Sequence, residues 1–192
     1  MGRHLRLQEP GATYHVTTHG IAELAVLPDD LARAHFLDLL AEAAARHAWR
    51  VRAYCVLTTH YHLLVTTPEG NIAQGMQHLN GRYAGWLNRE RGRRGHVWEA
   101  RYHGDPIRTD SHLLETIRYI SLNPVRAGLC RAPSRWAWSS YSGLVGLEPA
   151  LPFLDCRAVL ALFGVTRQAA VSRIRAFVEV AVRPDADGLR LR

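Results

Sequence analysis

The sequence predicts an α+β fold: a ferredoxin-like βαββαβ sandwich with one antiparallel sheet, then a third helix and a helical C-terminal extension. Three observations predict it. Apolar residues alternate with period two in two segments joined by a short turn. They recur with helical spacing in the segments on either side. Pro, Gly, Asn and Asp punctuate the boundaries. That order of elements is the signature of the sandwich, and it divides the chain into residues 1–142 and an extension over 143–192.

Ala12 to Thr18 is rich in β-branched and aromatic types and is followed by Gly20, which marks a first strand. Pro28, Asp29 and Asp30 open a first helix, along which Leu31, Ala34, Leu37, Leu40, Ala41 and Ala44 recur up to about Ala48. From Trp49 the period becomes two: Trp49, Val51, Ala53, Cys55 and Leu57 share one face and Arg50, Arg52 and Tyr54 the other. Thr58 and Thr59 turn the chain into a third strand, Tyr61 to Thr67, ended by Pro68-Glu69-Gly70. Asn71 is the expected N-cap of a second helix with Ile72, Met76, Leu79, Tyr83 and Trp86 as its core stripe. Val97 to Thr109 reads as a strand broken by Gly104 and Pro106. Asp110-Ser111 caps a third helix with Leu113, Leu114, Ile117 and Ile120 on its apolar side, stopped by Pro124. Two short helices, Asp155 to Phe163 and Arg167 to Val182, close the chain before a frayed end from Pro184 to Arg192.

Composition narrows the function classes. The 192 residues are 47% hydrophobic and 21% charged, which excludes disorder as the dominant state. No apolar run is long enough to span a membrane, and Met1-Gly2-Arg3-His4-Leu5-Arg6 lacks the core of a signal peptide, so a cytoplasmic protein without membrane association is expected. Three scattered cysteines exclude a disulfide framework. The net charge is +7, and the sequence contains no lysine, so all 24 cationic residues are arginine. Codon bias and selection for guanidinium are alternative readings of that choice, and on either a guanidinium surface favours bidentate phosphate contacts and base stacking. Nucleic acid is the leading partner class.

Two constellations could carry chemistry. His60 and His62 stand two apart on a strand, so their imidazoles share a face and form either a compact two-point metal site or a hydrogen-bonded structural pair. On the third helix Glu115, Tyr119 and Asn123 fall in one stripe at i, i+4 and i+8, away from the apolar side. A tyrosine can act as a nucleophile and an asparagine can offer a carbonyl oxygen to a cation. An exposed amphipathic tyrosine and an ordinary helix end are the structural alternatives.

Four ordered motifs carry a family resemblance: Ala53-Tyr54-Cys55 through His60-Tyr61-His62-Leu63-Leu64-Val65; Gly75 to Tyr83; Leu113-Leu114-Glu115 through Arg118-Tyr119-Ile120-Ser121-Leu122-Asn123-Pro124 to Leu129; and Trp138-Ser139-Ser140-Tyr141. From about Gly2 to Tyr141 the chain is similar to the REP-associated tyrosine transposases, bacterial relatives of the single-strand HUH transposases. The resemblance implies that His60, His62 and Asn123 hold a divalent ion, Mg or Mn. It implies that Tyr119 attacks a phosphodiester of single-stranded DNA, giving a 5′-phosphotyrosine link and a free 3′-hydroxyl that can later reverse the step. The sequence departs from the family at two points. Tyr61 stands where an aliphatic residue is usual, and Thr18-His19-Gly20 stands where the family reads Asn-Arg-Gly or Ser-Arg-Gly, removing an arginine. Glu115 is either a base for Tyr119 or a solvated helix residue.

A single-stranded or hairpin DNA partner asks for phosphate-binding and stacking groups. Arg89, Arg91, Arg93, Arg94 and Arg101 with Trp98 and Tyr102 supply that mixture, Arg82 adds to it, and the alternative is a flexible solvated linker. Arg118 and Arg126 flank Tyr119 and Asn123 as candidates for phosphate positioning, although Arg126 could simply serve the helix C-terminus. Trp136, Trp138 and Tyr141 read as packing residues. The leading expectation is a metal-dependent nicking and joining enzyme, monomeric or homodimeric, acting at hairpin-forming repeats. The rivals are a non-catalytic hairpin-binding regulator of the same fold and an RNA-binding sandwich using Tyr54 and Tyr61 as stacking aromatics.

Overall fold

The computed structural model describes residues 8–180, so the expectations for Met1–Arg6 and for the end beyond residue 180 lie outside the described residues. β1 (Ala12–His19), α1 (Asp30–Arg46), β2 (Arg50–Val56), β3 (His60–Thr67), α2 (Ile72–Glu90) and β4 (His103–Pro106) succeed one another in the expected βαββαβ order. The strands pair antiparallel in the order β2-β3-β1-β4. The first and third strands, both central, therefore carry whatever the sheet presents at its middle.

The two faces are distinguished by which residues of β3 meet which helix. Tyr61 points toward α1, where its ring lies 4.5 Å from that of Phe36, while His62 points the other way, toward α3 (Asp110–Arg126). Val16, Leu63, Val65, Phe36, Leu40, Met76 and Leu79 are buried in the main core. Tyr61 fits this core despite its hydroxyl because Asn80 Oδ1 accepts its O–H, and Asn80 Nδ2 in turn reaches Thr18 Oγ1. A polar atom deep in a core is tolerated when it is paired in this way.

Several local expectations are corrected. A bulge between Val51 and Ala53 inserts an extra residue into β2, so the even alternation read from Trp49 to Leu57 is broken and residues on either side of the bulge run out of phase. Leu31 is exposed, whereas Ala32, Phe36 and Leu40 are buried along α1. Asn71 precedes α2, but its side chain does not cap it: Oδ1 accepts from Trp49 Nε1 at 2.9 Å and Nδ2 donates to the His47 carbonyl. β4 keeps only four residues of the expected strand, as Gly104 and Pro106 would limit it.

The start and end of α3 also differ. Thr109, not Asp110-Ser111, is the N-cap, its hydroxyl accepting from His112 N at 3.1 Å. Pro124 does not stop the helix, which continues to Arg126. A proline in the last turn forfeits one hydrogen bond where few remain to be made, and the true stop is Gly128 at φ +71°. There Gly128 N donates to the Val125 carbonyl and Leu129 N to the Pro124 carbonyl, which closes the helix and keeps Asn123 inside it.

After α3 the chain returns along β2. Val56 N donates to the Trp138 carbonyl, Trp136 Nε1 to the Val56 carbonyl, and Trp138 Nε1 to Asp30. The short α4 (Tyr141–Leu144) follows, then α5 (Cys156–Ala161), shorter than expected, and α6 (Arg167–Glu179), whose expected end at Val182 lies outside the described residues. Tyr141 is buried, and its hydroxyl meets Glu179 of α6 at 2.7 Å. Among the described residues no helix is long and apolar enough to cross a membrane.

Candidate functional site

Register builds the site. Pairing of β1 with β3 sets Thr17 opposite His62 and His19 opposite His60, with His15 two residues further along the same face. Four imidazoles thus gather on the sheet face covered by α3. His19 stacks on His60 with ring centres 4.5 Å apart, His15 on His62 at 5.2 Å, and His60 meets His62 edge to face at 5.1 Å. His15 and Thr17 are not among the residues selected from sequence, and His19 is noted there only as part of Thr18-His19-Gly20. The period-two run Thr13, His15, Thr17, His19, alternating with Tyr14, Val16 and Thr18, is the signal that could have found them.

His62 is the pivot. It is 4% exposed, its Nδ1 lies 3.1 Å from both Thr17 Oγ1 and His15 Nε2, and its Nε2 lies 3.1 Å from Asn123 Nδ2. A neutral imidazole has one N–H. With Nε2 accepting from the Asn123 amide, Nδ1 carries the proton and donates toward His15 or Thr17. The lone pair then sits on Nε2, beside Asn123, where it can ligate a metal. His60 contacts Thr59 Oγ1 through Nδ1 at 3.0 Å, which commits the same ring atom outward.

Burial keeps these rings uncharged. Desolvation, and then the neighbouring His19, push His60 down to about 4, and desolvation with His15, His60 and His19 pushes His62 down further. His15 is lowered as well, chiefly by desolvation. Two neutral imidazoles and an amide able to rotate its oxygen inward form a donor set that suits a divalent cation and leaves most of its coordination positions open.

Tyr119 stands against this cluster. It is 37% exposed, its ring edge-on to His62 at 5.3 Å and to His15 at 5.7 Å, and the Arg126 guanidinium lies 5.3 Å over its face. A cavity of about 370 Å³ opens beside it, lined by His15, Glu115, Thr116, Arg118, Tyr119 and Arg126. Glu115 is engaged by Arg118 at 2.5 Å, one turn of helix away. Of the sequence-selected residues, the structure therefore brings together His60, His62, Tyr119, Asn123, Arg118 and Arg126.

The other arginines are dispersed. Arg82 pairs with Glu42 of α1 and Arg91 with Asp29 at the start of α1, so both lie with the α1–α2 layer on the far side of the sheet. Arg89, in the last turn of α2, is exposed. Arg94 and Arg101 are exposed and Arg93 half-buried in the connection to β4. That connection does reach the site: Ile21 N donates to the Val97 carbonyl and Glu99 N to the His19 carbonyl. The stacking role expected of Trp98 and Tyr102 is not supported. Trp98 packs edge-on to Tyr61 at 5.7 Å and donates to the Asn80 carbonyl, and Tyr102 is buried. Tyr54 and Tyr61 are buried too, which removes the aromatic platform an RNA-binding sheet needs.

Comparison with known proteins gives the family and the fold. The profile described as "Transposase IS200 like" matches residues 9–123. A Haemophilus influenzae protein described as a REP-associated tyrosine transposase is 25% identical over 143 residues, 65% of this chain and 81% of that protein. A solved structure of a REP-associated tyrosine transposase bound to a REP hairpin superimposes with a TM-score of 0.66 at 18% identity, covering 80% of this chain and 90% of that one. The matched span contains both His60-Tyr61-His62 and the helix from Tyr119 to Asn123, and on this ground the chain belongs to the IS200-like transposase family.

Proposed function

We propose that the protein nicks and rejoins single-stranded DNA at hairpin-forming repeats through a covalent link to Tyr119. The observation that carries this reading is the convergence of Tyr119 and Asn123, one helical turn apart, on the His62 ring, with Asn123 Nδ2 3.1 Å from Nε2 and the Tyr119 ring edge-on at 5.3 Å. His60, His62 and Asn123 would hold a divalent cation, which when bound supplies Lewis-acid polarisation of the scissile phosphate. Tyr119 Oη forms a bond to phosphorus as the bond from phosphorus to the 3′ oxygen breaks. The 5′ phosphate is left on tyrosine and the 3′ oxygen departs as a hydroxyl. Attack by a 3′-hydroxyl runs the step backward, and no bond energy is lost to water.

The remaining residues supply orientation. His15 and Thr17 hold the His62 ring through Nδ1. Arg126 over the tyrosine ring and Arg118 at the cavity wall offer charge to the phosphates on either side of the reacting one. A hairpin partner is proposed because the structural neighbour is bound to a REP hairpin. Incubating the protein with labelled single strands bearing a hairpin, in the presence of Mn²⁺, tests the reading. A denaturation-resistant protein–DNA adduct is expected, and its absence across hairpins with varied flanks would favour a binder of the same fold.

A further inference from the structure

The helices beyond α4 lie outside the span that the family profile matches and outside the tyrosine cavity. α5 and α6 are joined by the short segment 162–166, and α6 is capped by Thr166, whose hydroxyl accepts from Ala169 N at 3.2 Å. Gly164 sits so close to α6 that a Cβ there would stand 3.1 Å from Ala170 N. Ala170, Ile174 and Val178 of α6 are fully buried, as is Val159 of α5. One stripe of α6 is thereby committed to the core. Arg167, Gln168, Ser172, Arg173 and Arg175 are left exposed.

The exposed side is cationic and polar. Between Cys156 and Glu179 the sequence has four arginines, 157, 167, 173 and 175, against one acid, Glu179. Arg157, Arg167 and Arg173 border a groove of about 780 Å³ between the two helices. Arg175 is paired with Glu179 and Arg173 donates one N–H to the Phe163 carbonyl, so Arg157 and Arg167 are the most available cations. At the other end of α6 Phe177 lies under the guanidinium of Arg118, which lines the tyrosine cavity. The ten residue steps from Phe177 back to Arg167 span roughly 15 Å at 1.5 Å per residue.

We propose that α5, the turn and α6 form a second DNA contact, a helix–turn–helix that seats the N-terminal half of α6 on duplex DNA. Arg157 and Arg167 meet phosphates, and Gln168 and Ser172 face base edges. Two helices joined by a short glycine-containing turn, with the second helix presenting polar side chains near its start, can enter a major groove in this way. Charge complementarity selects a polyanion over a second copy of the chain. The groove also carries Leu160, Leu162, Phe163 and Val165, but Arg157, Arg167 and Arg173 at its border would face their own copies across a homodimer of this face, a like-charge contact that a polyanion relieves. This contact does not depend on strand transfer at Tyr119.

Fluorescence anisotropy on the full chain tests it with two probes, a blunt 20-base-pair duplex and an unstructured single strand of equal length. The double variant Gln168→Glu with Ser172→Glu should weaken duplex binding at least tenfold and leave single-strand binding and thermal unfolding unchanged. Arg157→Ala with Arg167→Ala should reduce the log–log salt slope for the duplex by about two, near 0.9 per lost phosphate contact. Duplex affinity within twofold of the parent in both variants overturns the proposal. So does a dimer that Val165→Glu dissociates without loss of duplex affinity, which would make this face a contact between copies. Photocrosslinking of a bromodeoxyuridine duplex to the unaltered protein is independent of variant folding. Crosslinks within residues 162–175 support the contact, and crosslinks confined elsewhere overturn it.

Discussion

Asn123 Nδ2 stands 3.1 Å from His62 Nε2, so the last turn of the tyrosine helix is tied directly to the central strand of the sheet. This contact sets the reading frame of the site. It places Tyr119, four residues earlier, against the same imidazole, and it turns His62 Nε2 toward the helix residue Asn123.

Divalent-metal affinity should therefore depend on His62 and on what holds it. Titration with Mn²⁺ followed by electron paramagnetic resonance should show one site, weakened at least tenfold in His62→Ala. Thr17→Val together with His15→Phe, which leave the ligands in place but release Nδ1, should cost about 10- to 100-fold. Unchanged affinity in His62→Ala would remove these residues from the metal site.

Metal-free stability should fall with acid in a defined window. His60 titrates near 4 in the folded chain against 6.5 ordinarily, and His62 is lowered in the same direction. Between these values the unfolded chain binds protons that the folded chain does not, so stability is fully present above about pH 6.5 and declines as pH drops toward 4. Thermal unfolding in chelator-treated buffer should show this decline, shallower in His60→Asn. An equal slope in the variant would mean that another group governs the acid limb.

Single-strand binding should feel the arginines unequally. Replacing Arg93, Arg94 and Arg101 with alanine should flatten the log–log salt slope by about two, at ~0.7 per phosphate contact. Arg82→Ala, on the opposite layer and paired with Glu42, should change it little. The reverse ranking would place the DNA path over the α1–α2 layer.

Gly75→Ala should be strongly destabilising although it adds a single methyl group. A Cβ at Gly75 would lie 2.0 Å from the Trp49 ring, which is itself anchored to Asn71 through Nε1. Overpacking of this kind costs about 2 kcal/mol, measurable as a lower urea midpoint. A midpoint equal to that of the parent would show that Trp49 can move aside.

The order of elements along the chain and the shared strand face of His60 and His62 were legible because period-two alternation is local. The tyrosine stripe was legible for the same reason, since i, i+4 and i+8 on one helix need no tertiary information. What sequence could not supply was relative placement. The bulge at Arg52 depends on the pairing of β2 with β3, while the capping by Thr109 and the closure of α3 at Gly128 rest on local backbone geometry that residue preference alone does not fix. The arginine cluster near residue 91 looked continuous in sequence, yet Arg91 is drawn to Asp29 while the backbone at Val97 and Glu99 is drawn to the end of β1. The histidines of β1 joined the site only when register set His15 and His19 beside β3.

The most direct test of the central claim is peptide mapping of a trapped adduct. After reaction with a hairpin-bearing single strand and Mn²⁺, protease digestion and mass spectrometry should locate a nucleotide phosphate on Tyr119. Tyr119→Phe should abolish adduct and cleavage together while retaining the parent's unfolding temperature and most of its hairpin affinity. Cleavage at the parent rate by Tyr119→Phe, or an adduct mapped to any other residue, would contradict the account.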